Sequence, residues 1–543
     1  MENVPVPQWF RHSDKLFHFI EYTALAMSGF FAFRAVRGFR FRLLLFGVAY
    51  ALFDEMHQSF VPGRVADFGD IIADVLPFFL LWLIRFPLPC STIAVKGKYI
   101  TQTYELLRSV IKGKKVSVDG AADLTIWVTD EGVRYFYEGS MLLERKIPKI
   151  TSDAAKLSVY RDCEFLFDRR ISDWGLLYMM RPSKILEHVQ GSTNERSWQL
   201  QTDYALSAQK TSLLLEIEEV QKDMLKKTEG SCGIYIGVPF CPSRCSYCSF
   251  TSYPREKFAK FYNPYIDALI KELSTRLAQI TLPVTMIYIG GGTPFVLDAC
   301  DLERILRALK SVLSPAILEF TCEAGRPELF TEEKLGILKK YGVTRIAINP
   351  QTVIPATLER IGRKHSVEDF YRAYEMAARF NFSVINADII LGLPGETPEY
   401  NKQTVSTILA MEKINSLTVH ALAPKHGAAE QTFIDDDSIK KAYAAVNRLV
   451  RKNKFLPYYI YKQRHIGGNL ENIGYCKTEA YSYYNVSIIG EHNTIYGFGP
   501  GASTKYVTGR SIKTVRNAKD LSMYINAINN GNIHNDSNPV QGG

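Results

Sequence analysis

From Gly233 onward, short runs rich in β-branched residues alternate with amphipathic stretches, and this repeat constrains the fold more than any other feature of the sequence. Strands that alternate with helical stretches form parallel βαβ units. Six units predict an α/β fold, a partial (β/α)6 barrel of the TIM type with its chemistry at the strand ends. An open sheet has the same spacing and stays an alternative. The six runs are GIYIGV, MIYIGG, LEFTCEA, RIAIN, VINADIIL and SLTVHAL.

Three of the nine cysteines lie in one short segment directly after the first of these strands. The sequence GIYIGVPFCPSRCSYCSF places Cys241, Cys245 and Cys248 in a C-x3-C-x2-C spacing. The odd cysteine count and this crowding favour a metal or redox site over disulfide bonds. Three thiolates leave one iron of a [4Fe-4S] cluster free for a substrate such as S-adenosylmethionine (SAM). A zinc site, which would need a fourth ligand, and three buried thiols are the alternatives, and Cys232 lies before the strand.

The first 90 residues are very apolar and contain several arginines. Apolar runs at residues 16–33, 43–53 and 71–84 predict three membrane helices, the last two short for a full span. The arginines of residues 34–42 should then stay in the cytoplasm, together with everything after the third helix. The net charge of +9 is modest for 543 residues and does not predict a nucleic-acid partner.

The cysteine segment resembles the hallmark of the radical SAM superfamily. Its position after the first strand agrees, as does GGGTP at residues 290–294, although three glycines are also compatible with a simple turn. Residues 160–505 resemble the oxygen-independent coproporphyrinogen III oxidases (dehydrogenases), most closely the HemZ-type branch. Among the segments that carry this resemblance are IGVPFCPSRCSYCSFTSYP, YIGGGTP, EFTCEAGRPE, RIAINPQT, LERIGRKHS, NADIILGLPGET, PYYIYKQRHIGGNLENIGY and YGFGPGAS.

The resemblance implies a SAM site beside a [4Fe-4S] cluster held by Cys241, Cys245 and Cys248. Carboxylates suit the ammonium and ribose hydroxyls of SAM, and an arginine suits its carboxylate or a substrate propionate. Taken one at a time, the polar residues at the SAM-matching positions named below are equally compatible with surface positions or helix caps. The positions that match the family's SAM-lining residues are Tyr235, which is also assigned to the catalytic centre, Gly291, Gly292, Thr293, Glu323, Gln351, Arg363 and Asp388.

The implied reaction is oxidative decarboxylation of coproporphyrinogen III to protoporphyrinogen IX in haem biosynthesis. It needs a reduced electron donor of the flavodoxin or ferredoxin type. Because the substrate carries four carboxylates, its pocket should present cations, and tyrosines could pack on the macrocycle. Solvated surface and ordinary core are the alternatives for these side chains. The candidate cations are Arg326, Lys425, Lys462, Arg464 and His465, and the candidate aromatic residues are Tyr458, Tyr459 and Tyr461.

One position departs from the oxidase pattern. Well-known members carry a fourth cysteine two residues after the cluster, where this chain has Phe250. Haem-binding relatives that act in haem delivery also lack that cysteine, so a haem-binding function is the alternative, with His420 or His426 as ligand. Radical methylthiolation or methylation ranks third, because the sequence shows no extra cluster or substrate domain.

The amino-terminal segment 14–84 resembles the VanZ-like family through DKLFHFIEY, DEMHQSFVPGR and DFGDIIADV. Ionisable residues within apolar helices are costly and suggest a binding site for a metal or a lipid headgroup. Hydrogen bonding between helices is the alternative explanation. The residues concerned are His18, Glu21, Asp54, Glu55 and His57.

These patterns predict five segments along the chain. The polar, Asn-rich and Gly-rich final stretch has nothing to bury and is predicted to be disordered. The segments are VanZ-like membrane helices at residues 1–90, an α/β accessory domain at 91–230, the radical SAM core at 231–430, a substrate-covering region at 431–525 and a tail at 526–543.

Overall fold

The computed structural model describes residues 13–33, 39–60, 68–83, 87–178, 181–248, 252–423, 436–464 and 466–533. The chain divides into two compact units, Met1–Leu176 with Asp203–Leu206, and Leu177–Thr202 with Ser207–Gly543. The first unit thus includes both the apolar helices and most of the predicted accessory domain. Residues 177–202 and 207–230, which the sequence assigned to the accessory domain, belong to the second unit.

Three helices occupy the apolar runs at the start of the first unit: α1 (Ser13–Phe33), α2 (Phe39–Gln58) and α3 (Phe68–Leu83). Their shared core contains Tyr22, Phe30 and Phe78. Gly47 allows close packing of α2 against α3, since a Cβ at this position would lie 2.4 Å from the ring of Phe78.

The three predicted membrane spans are not supported by the structure. Among the described residues, none of the helices combines the length and the apolar character needed to cross a membrane. Helix α3 has 16 residues, fewer than the roughly 20 that a bilayer core requires. Helices α1 and α2 are interrupted by ionisable side chains, including His18, Glu21, Asp54 and Glu55.

A five-stranded sheet with two helices forms the rest of the first unit. Its strand order is β2-β1-β3-β4-β5, with parallel pairing among β1, β2 and β3 and antiparallel pairing from β3 to β5. Its elements are β1 (Thr92–Gly97), α4 (Ile100–Val110), β2 (Lys115–Val118), β3 (Leu124–Val128), β4 (Gly132–Tyr137), β5 (Ser140–Lys146) and α5 (Ser152–Leu166).

The second unit begins with two helices and continues as repeated βα units. Its parallel strands are almost continuously buried, as expected for strands covered on both faces. The elements are α6 (Thr193–Thr202), α7 (Ala208–Thr228), β6 (Cys232–Val238), β7 (Phe240–Cys241), β8 (Tyr253–Pro254), α8 (Tyr262–Arg276), β9 (Val284–Gly291), α9 (Ala299–Ala308), β10 (Glu319–Gly325), α10 (Glu332–Lys340), β11 (Arg345–Ile348), α11 (Pro355–Arg360), α12 (Val367–Arg379), β12 (Val384–Leu391), α13 (Pro398–Leu409) and β13 (Ile414–Ala421).

All six predicted strands are present and pair in the order in which they occur in the chain. Strands β6, β9, β10, β11, β12 and β13 are parallel neighbours throughout. A doubly wound sheet would reverse its order at a switch point. The unbroken order therefore agrees with the predicted barrel-type arrangement of βα units, and the mixed α/β fold is confirmed.

The carboxy-terminal elements extend this sheet at both edges. Two antiparallel strands continue it beyond β13, and three strands continue it beyond β6. Helix α16 ends at Asn529, so residues 526–529 of the predicted tail are helical, and residues 534–543 lie outside the described part of the chain. These elements are α14 (Asp436–Lys452), β14 (Leu456–Tyr461), β15 (Asn472–Cys476), α15 (Tyr483–Gly490), β16 (Thr494–Phe498), β17 (Ser503–Thr508), β18 (Ser511–Arg516) and α16 (Leu521–Asn529).

Candidate active site

A cavity of about 530 Å³ lies at the carboxyl ends of the parallel strands of the second unit. Parallel strands end at the same edge of a sheet, so side chains that are distant in sequence converge there. Ten of the eleven predicted cluster and SAM residues line this cavity. They are Cys241, Cys245, Cys248, Gly291, Gly292, Thr293, Glu323, Gln351, Arg363 and Asp388.

The cysteine loop leaves β6 and is held by the short pairing of β7 with β8. Cys241, Cys245 and Cys248 are all partly exposed on the cavity wall. Cys232 is fully buried, and its Sγ lies 3.6 Å from the carbonyl oxygen of Leu282, outside the cavity lining. The loop thus offers three accessible thiols without Cys232, which is the donor set that a cluster with one open iron requires.

Arg326 makes a buried contact with the cysteine loop. Its Nη1 donates a hydrogen bond to Sγ of Cys245 at 3.2 Å, and its Nη2 donates to Oγ of Ser243 at 2.6 Å. Its Nε donates to Glu328 at 3.1 Å, so all three nitrogens are used. The guanidinium is therefore fixed in place and puts positive charge directly beside a thiol.

The glycines after β9 allow close contact with the cysteine loop. Gly291 has a φ of +103°, and a Cβ there would lie 2.8 Å from the carbonyl oxygen of Val238. A Cβ at Gly292 would lie 2.4 Å from the carbonyl oxygen of Phe240 and 3.0 Å from Sγ of Cys241. Any side chain at Gly292 would therefore displace the cysteine loop.

Two carboxylates line the cavity, Glu323 on β10 and Asp388 on β12, and their pKa values are shifted in opposite directions. Burial, together with the nearby charge of Asp388, raises the pKa of Glu323 to about 7. Burial also acts to raise the pKa of Asp388, but hydrogen bonding and the charge of His420 outweigh it, and the net pKa is lowered. Tyr288 donates a hydrogen bond to Glu323, and the amide of Asn386 donates one to Asp388 at 2.8 Å.

Gln351 and Arg363 also line the cavity, and together with Glu323 and Asp388 they form what we call its polar wall. Gln351 has a φ of +67°, which is unusual for a residue with a side chain, and its backbone N–H donates to the carbonyl oxygen of Asp388 at 3.0 Å. Its buried Oε1 has no hydrogen-bond partner among the described residues. Arg363 donates to the carbonyl oxygen of Asn349 at 2.5 Å and to the hydroxyl of Tyr247 at 3.3 Å. The loop after β11 is thus held in an uncommon conformation beside the cavity.

Tyr235 does not line the cavity. Its ring stacks on Tyr288 at a centroid distance of 6.4 Å and on Tyr484 at 6.1 Å. Since Tyr288 lines the cavity and binds Glu323, Tyr235 lies one layer behind the cavity wall.

The predicted substrate residues are divided. Arg326, Arg464, Tyr459 and Tyr461 line the cavity. Lys462 is buried and donates instead to Asn469, at 3.0 Å from its Oδ1, and Tyr458 is a fully buried core residue. Lys425, His426, His465 and Phe250 lie outside the described residues.

Several cavity residues were missed at the sequence level. Tyr288 and Asn386 lie on strands, two positions before Gly290 and Asp388, so the alternation of strand side chains could have indicated them. Ser243 and Tyr247 lie between the cysteines, where spacing alone gives no direction for a side chain. The missed lining residues include Ser243, Tyr247, Ser252, Tyr288, Arg345, Asn349, Asn386, Thr418, Gln463, Asn485 and Ile489.

Comparison with known proteins agrees with this geometry. Residues 235–408 match the Radical SAM superfamily, and residues 3–87 match VanZ/LLP1. The chain is 35% identical over 376 residues to the oxygen-independent coproporphyrinogen-III oxidase-like protein HemZ of Bacillus subtilis (strain 168), covering 65% of this chain and 74% of that protein. The chain belongs to the HemZ-type family of radical SAM proteins. Its cofactors are accordingly a [4Fe-4S] cluster and SAM, as predicted.

This HemZ-type chain is also similar to proteins named heme chaperones and to a solved oxidase structure. It is 35% identical over 181 residues to the heme chaperone HemW of Bacillus subtilis (strain 168), covering 33% of this chain and 47% of that protein. It is 30% identical over 308 residues to the heme chaperone HemW of Lactococcus lactis, covering 54% of this chain and 73% of that protein. The fold is similar to that of the coproporphyrinogen III oxidase HemN from Escherichia coli, which is a radical SAM enzyme, with 18% sequence identity and a TM-score of 0.46. The match covers 56% of this chain and 72% of the HemN chain.

Proposed function

We propose that this chain is an oxygen-independent coproporphyrinogen III dehydrogenase, which converts the substrate to protoporphyrinogen IX. The observation that carries the proposal is one cavity that unites three thiols, two carboxylates, several arginines and four tyrosines at the strand ends. The thiols and carboxylates suit the cluster and SAM, while the arginines and tyrosines suit an anionic tetrapyrrole. The 35% identity to HemZ over most of both chains supports the same assignment.

We assign cluster binding to Cys241, Cys245 and Cys248. When bound, the reduced cluster supplies one electron for the cleavage of SAM into methionine and a 5′-deoxyadenosyl radical. Arg326 stabilises thiolate charge at Cys245 through its 3.2 Å hydrogen bond. Gly292 keeps the strand end close to the cysteine loop, whose three thiols line the cavity and would hold the cluster there.

The polar wall is assigned to SAM. Glu323 and Asp388 offer carboxylate oxygens to its ammonium and ribose hydroxyls, and Gln351 offers the buried Oε1 that has no partner among the described residues. Arg363 offers its guanidinium to the carboxylate of SAM or to a substrate propionate. Tyr235 supports this wall from behind through Tyr288.

The substrate is assigned to the side of the cavity formed by the carboxy-terminal region. Tyr461, Gln463, Arg464, Asn485 and Ile489 all come from residues 431–525 and line the cavity, which supports a substrate-covering role for that region. Arg464 suits a propionate, and the rings of Tyr459 and Tyr461 suit the macrocycle.

The reaction balances with one external electron acceptor for each propionate. Bound SAM would supply the removal of one hydrogen atom from the propionate β-carbon, with 5′-deoxyadenosine as the co-product. Carbon dioxide then leaves, the acceptor takes one electron, and a vinyl group remains. A reduced protein of the flavodoxin or ferredoxin type is the proposed electron donor to the cluster, and the cytoplasm is the proposed site of this chemistry.

An anaerobic product assay tests the proposal. Reconstituted protein is incubated with SAM, a low-potential reductant, an electron acceptor and coproporphyrinogen III, and porphyrins are analysed after oxidation. We expect protoporphyrin from the parent chain and from Cys300→Ala, because Cys300 is exposed and lies outside the cavity. Methionine and 5′-deoxyadenosine without protoporphyrin would refute dehydrogenase activity while leaving SAM cleavage intact.

Haem binding and delivery is the second candidate function. His420 lines the cavity, and its Nδ1 lies 3.1 Å from the hydroxyl of Tyr461, so an imidazole is available beside the tetrapyrrole side of the cavity. Several similar proteins are named heme chaperones. Titration with haem would then give a Soret band that His420→Ala abolishes. An unchanged band in that variant would exclude His420 as the ligand.

A further inference from the structure

The amino-terminal helices bring together three potential metal ligands that play no part in the SAM chemistry. His18 comes from α1, Asp54 from α2 and Asp74 from α3. One ligand atom from each residue lies within 4.8 Å of the other two. Three separate helices therefore direct an imidazole and two carboxylates to one point.

Asp74 gives independent evidence that these side chains bind a cation. The residue is fully buried, and its Oδ1 lies 2.9 Å from Nδ1 of His18. Its Oδ2 is also buried and has no hydrogen-bond partner among the described residues. A buried carboxylate oxygen without a partner is costly unless a cation or a proton compensates its charge.

The neighbouring side chains orient Asp54. The hydroxyl of Tyr22 and the amide of Gln58 both donate to Oδ2 of Asp54, at 3.1 and 2.9 Å. Hydrogen bonds to one carboxylate oxygen fix the orientation of the other, as the outer shell of a metal site does. Lys15 pairs with Asp70 at 2.8 Å, and Asp70 lies outside the ligand set.

We propose that His18, Asp54 and Asp74 bind a divalent transition-metal ion of the Zn²⁺ type. Histidine nitrogen and aspartate oxygen are ordinary Zn²⁺ ligands, whereas Mg²⁺ and Ca²⁺ prefer oxygen alone. The two positive charges of the ion balance the two carboxylates. An ion held by α1, α2 and α3 cross-links the bundle, and three protein ligands leave one position for water or an exogenous donor.

Metal analysis of the full chain with its iron–sulfur cluster reconstituted tests this site, because the cluster then occupies the cysteines. Samples are equilibrated with Zn²⁺, freed of unbound metal, and analysed for zinc and iron together. We expect about one zinc per chain beyond any bound elsewhere in the parent, and loss of that zinc in Asp74→Asn and in Asp54→Asn. The matched control is Asp70→Asn, which removes a nearby carboxylate outside the ligand set and should keep the zinc.

A second measurement separates metal loss from misfolding. Zn²⁺ should raise the unfolding temperature of the parent and of Asp70→Asn, and leave that of Asp54→Asn unchanged. Asp54 is partly exposed, so its amide variant is the safer one if Asp74→Asn fails to fold. Equal zinc content in folded Asp54→Asn and parent, or equal loss of zinc in Asp70→Asn, would overturn the proposal. Binding of Mg²⁺ in preference to Zn²⁺ would overturn the assigned metal class.

Discussion

The two units each contain a histidine beside an aspartate, and the difference between the pairs shows what each site is built to hold. Asp388 faces a cavity of about 530 Å³ with His420 at 3.8 Å and the amide of Asn386 at 2.8 Å. Asp74 is fully buried beside His18 and retains an oxygen without a partner among the described residues. An open wall with satisfied carboxylates suits an organic cofactor, whereas a closed carboxylate suits a single ion.

The strongest way to break this comparison is to remove the cluster from the cavity. Cys245→Ala deletes one of three proposed ligands and the acceptor of the Arg326 hydrogen bond. We expect loss of most of the iron and a fall in 5′-deoxyadenosine formation of roughly 10³-fold or more, because a third thiolate is needed to retain the cluster. Iron analysis and product quantification measure both effects, with Cys300→Ala as the control. Full iron content with normal activity in Cys245→Ala would remove the basis of the cavity assignment.

The fold was largely predictable because strand patterns are local. Each of the six runs contains enough β-branched and apolar residues to be recognised alone, and consecutive strands of βαβ units are usually neighbours in the sheet. The amino-terminal helices were predicted as helices, but none among the described residues is long and apolar enough to support the predicted spans. Their ionisable residues lie far apart in sequence, and only the fold shows that His18, Asp54 and Asp74 meet.

The candidate site was predictable only where a motif carried it. The cysteines came from their spacing after a strand and the eight SAM positions from family segments, and all except Tyr235 reach the cavity wall. Ser243 was missed because its direction depends on how the cysteine loop packs, whereas Tyr288 was missed although strand alternation indicates its face. Lys462 was assigned to the cavity because of its neighbours in sequence, although it is buried against Asn469.

A core substitution tests whether the helical bundle depends on close packing. Phe78 is 1% exposed and belongs to the core shared by α1, α2 and α3. Phe78→Ala should lower the free energy of opening of these helices by about 3–5 kcal/mol, because it removes a buried ring and leaves a cavity. Native-state hydrogen exchange of residues 13–83 measures this change. Phe79→Ala, at an exposed position, should change it by less than about 0.5 kcal/mol. Equal effects of the two substitutions would contradict the packing described here.

The pH dependence of SAM binding sharpens the contrast between Glu323 and Asp388. The pKa of Glu323 is raised to about 7, so its carboxylate becomes protonated as the pH falls through 7, whereas the pKa of Asp388 is lowered and it stays ionised. If the ionised form binds SAM, the Kd at pH 6 should be about tenfold higher than at pH 8. Calorimetry at several pH values measures this change. Glu323→Gln should bind more weakly and lose most of the pH dependence, and an unchanged profile in that variant would assign the titration to another group.

The smallest expected effect concerns Arg326. Arg326→Gln removes the positive charge beside Cys245 while keeping a polar side chain of similar reach. We expect a shift of the cluster's reduction potential to more negative values, on the order of tens of millivolts, because positive charge and hydrogen bonds at the sulfurs favour the reduced cluster. An EPR-monitored redox titration measures the shift. Arg304→Gln, on the exposed face of α9, is the control and should leave the potential unchanged.

Isotope transfer from the substrate tests the central claim most directly. Coproporphyrinogen III carrying deuterium at the propionate β-carbons is incubated anaerobically with the reconstituted chain, SAM, reductant and an electron acceptor, and 5′-deoxyadenosine is analysed by mass spectrometry. The proposed function predicts one deuterium in the 5′-deoxyadenosine formed for each vinyl group produced. Unlabelled 5′-deoxyadenosine, formed at the same rate with or without the substrate, would contradict it.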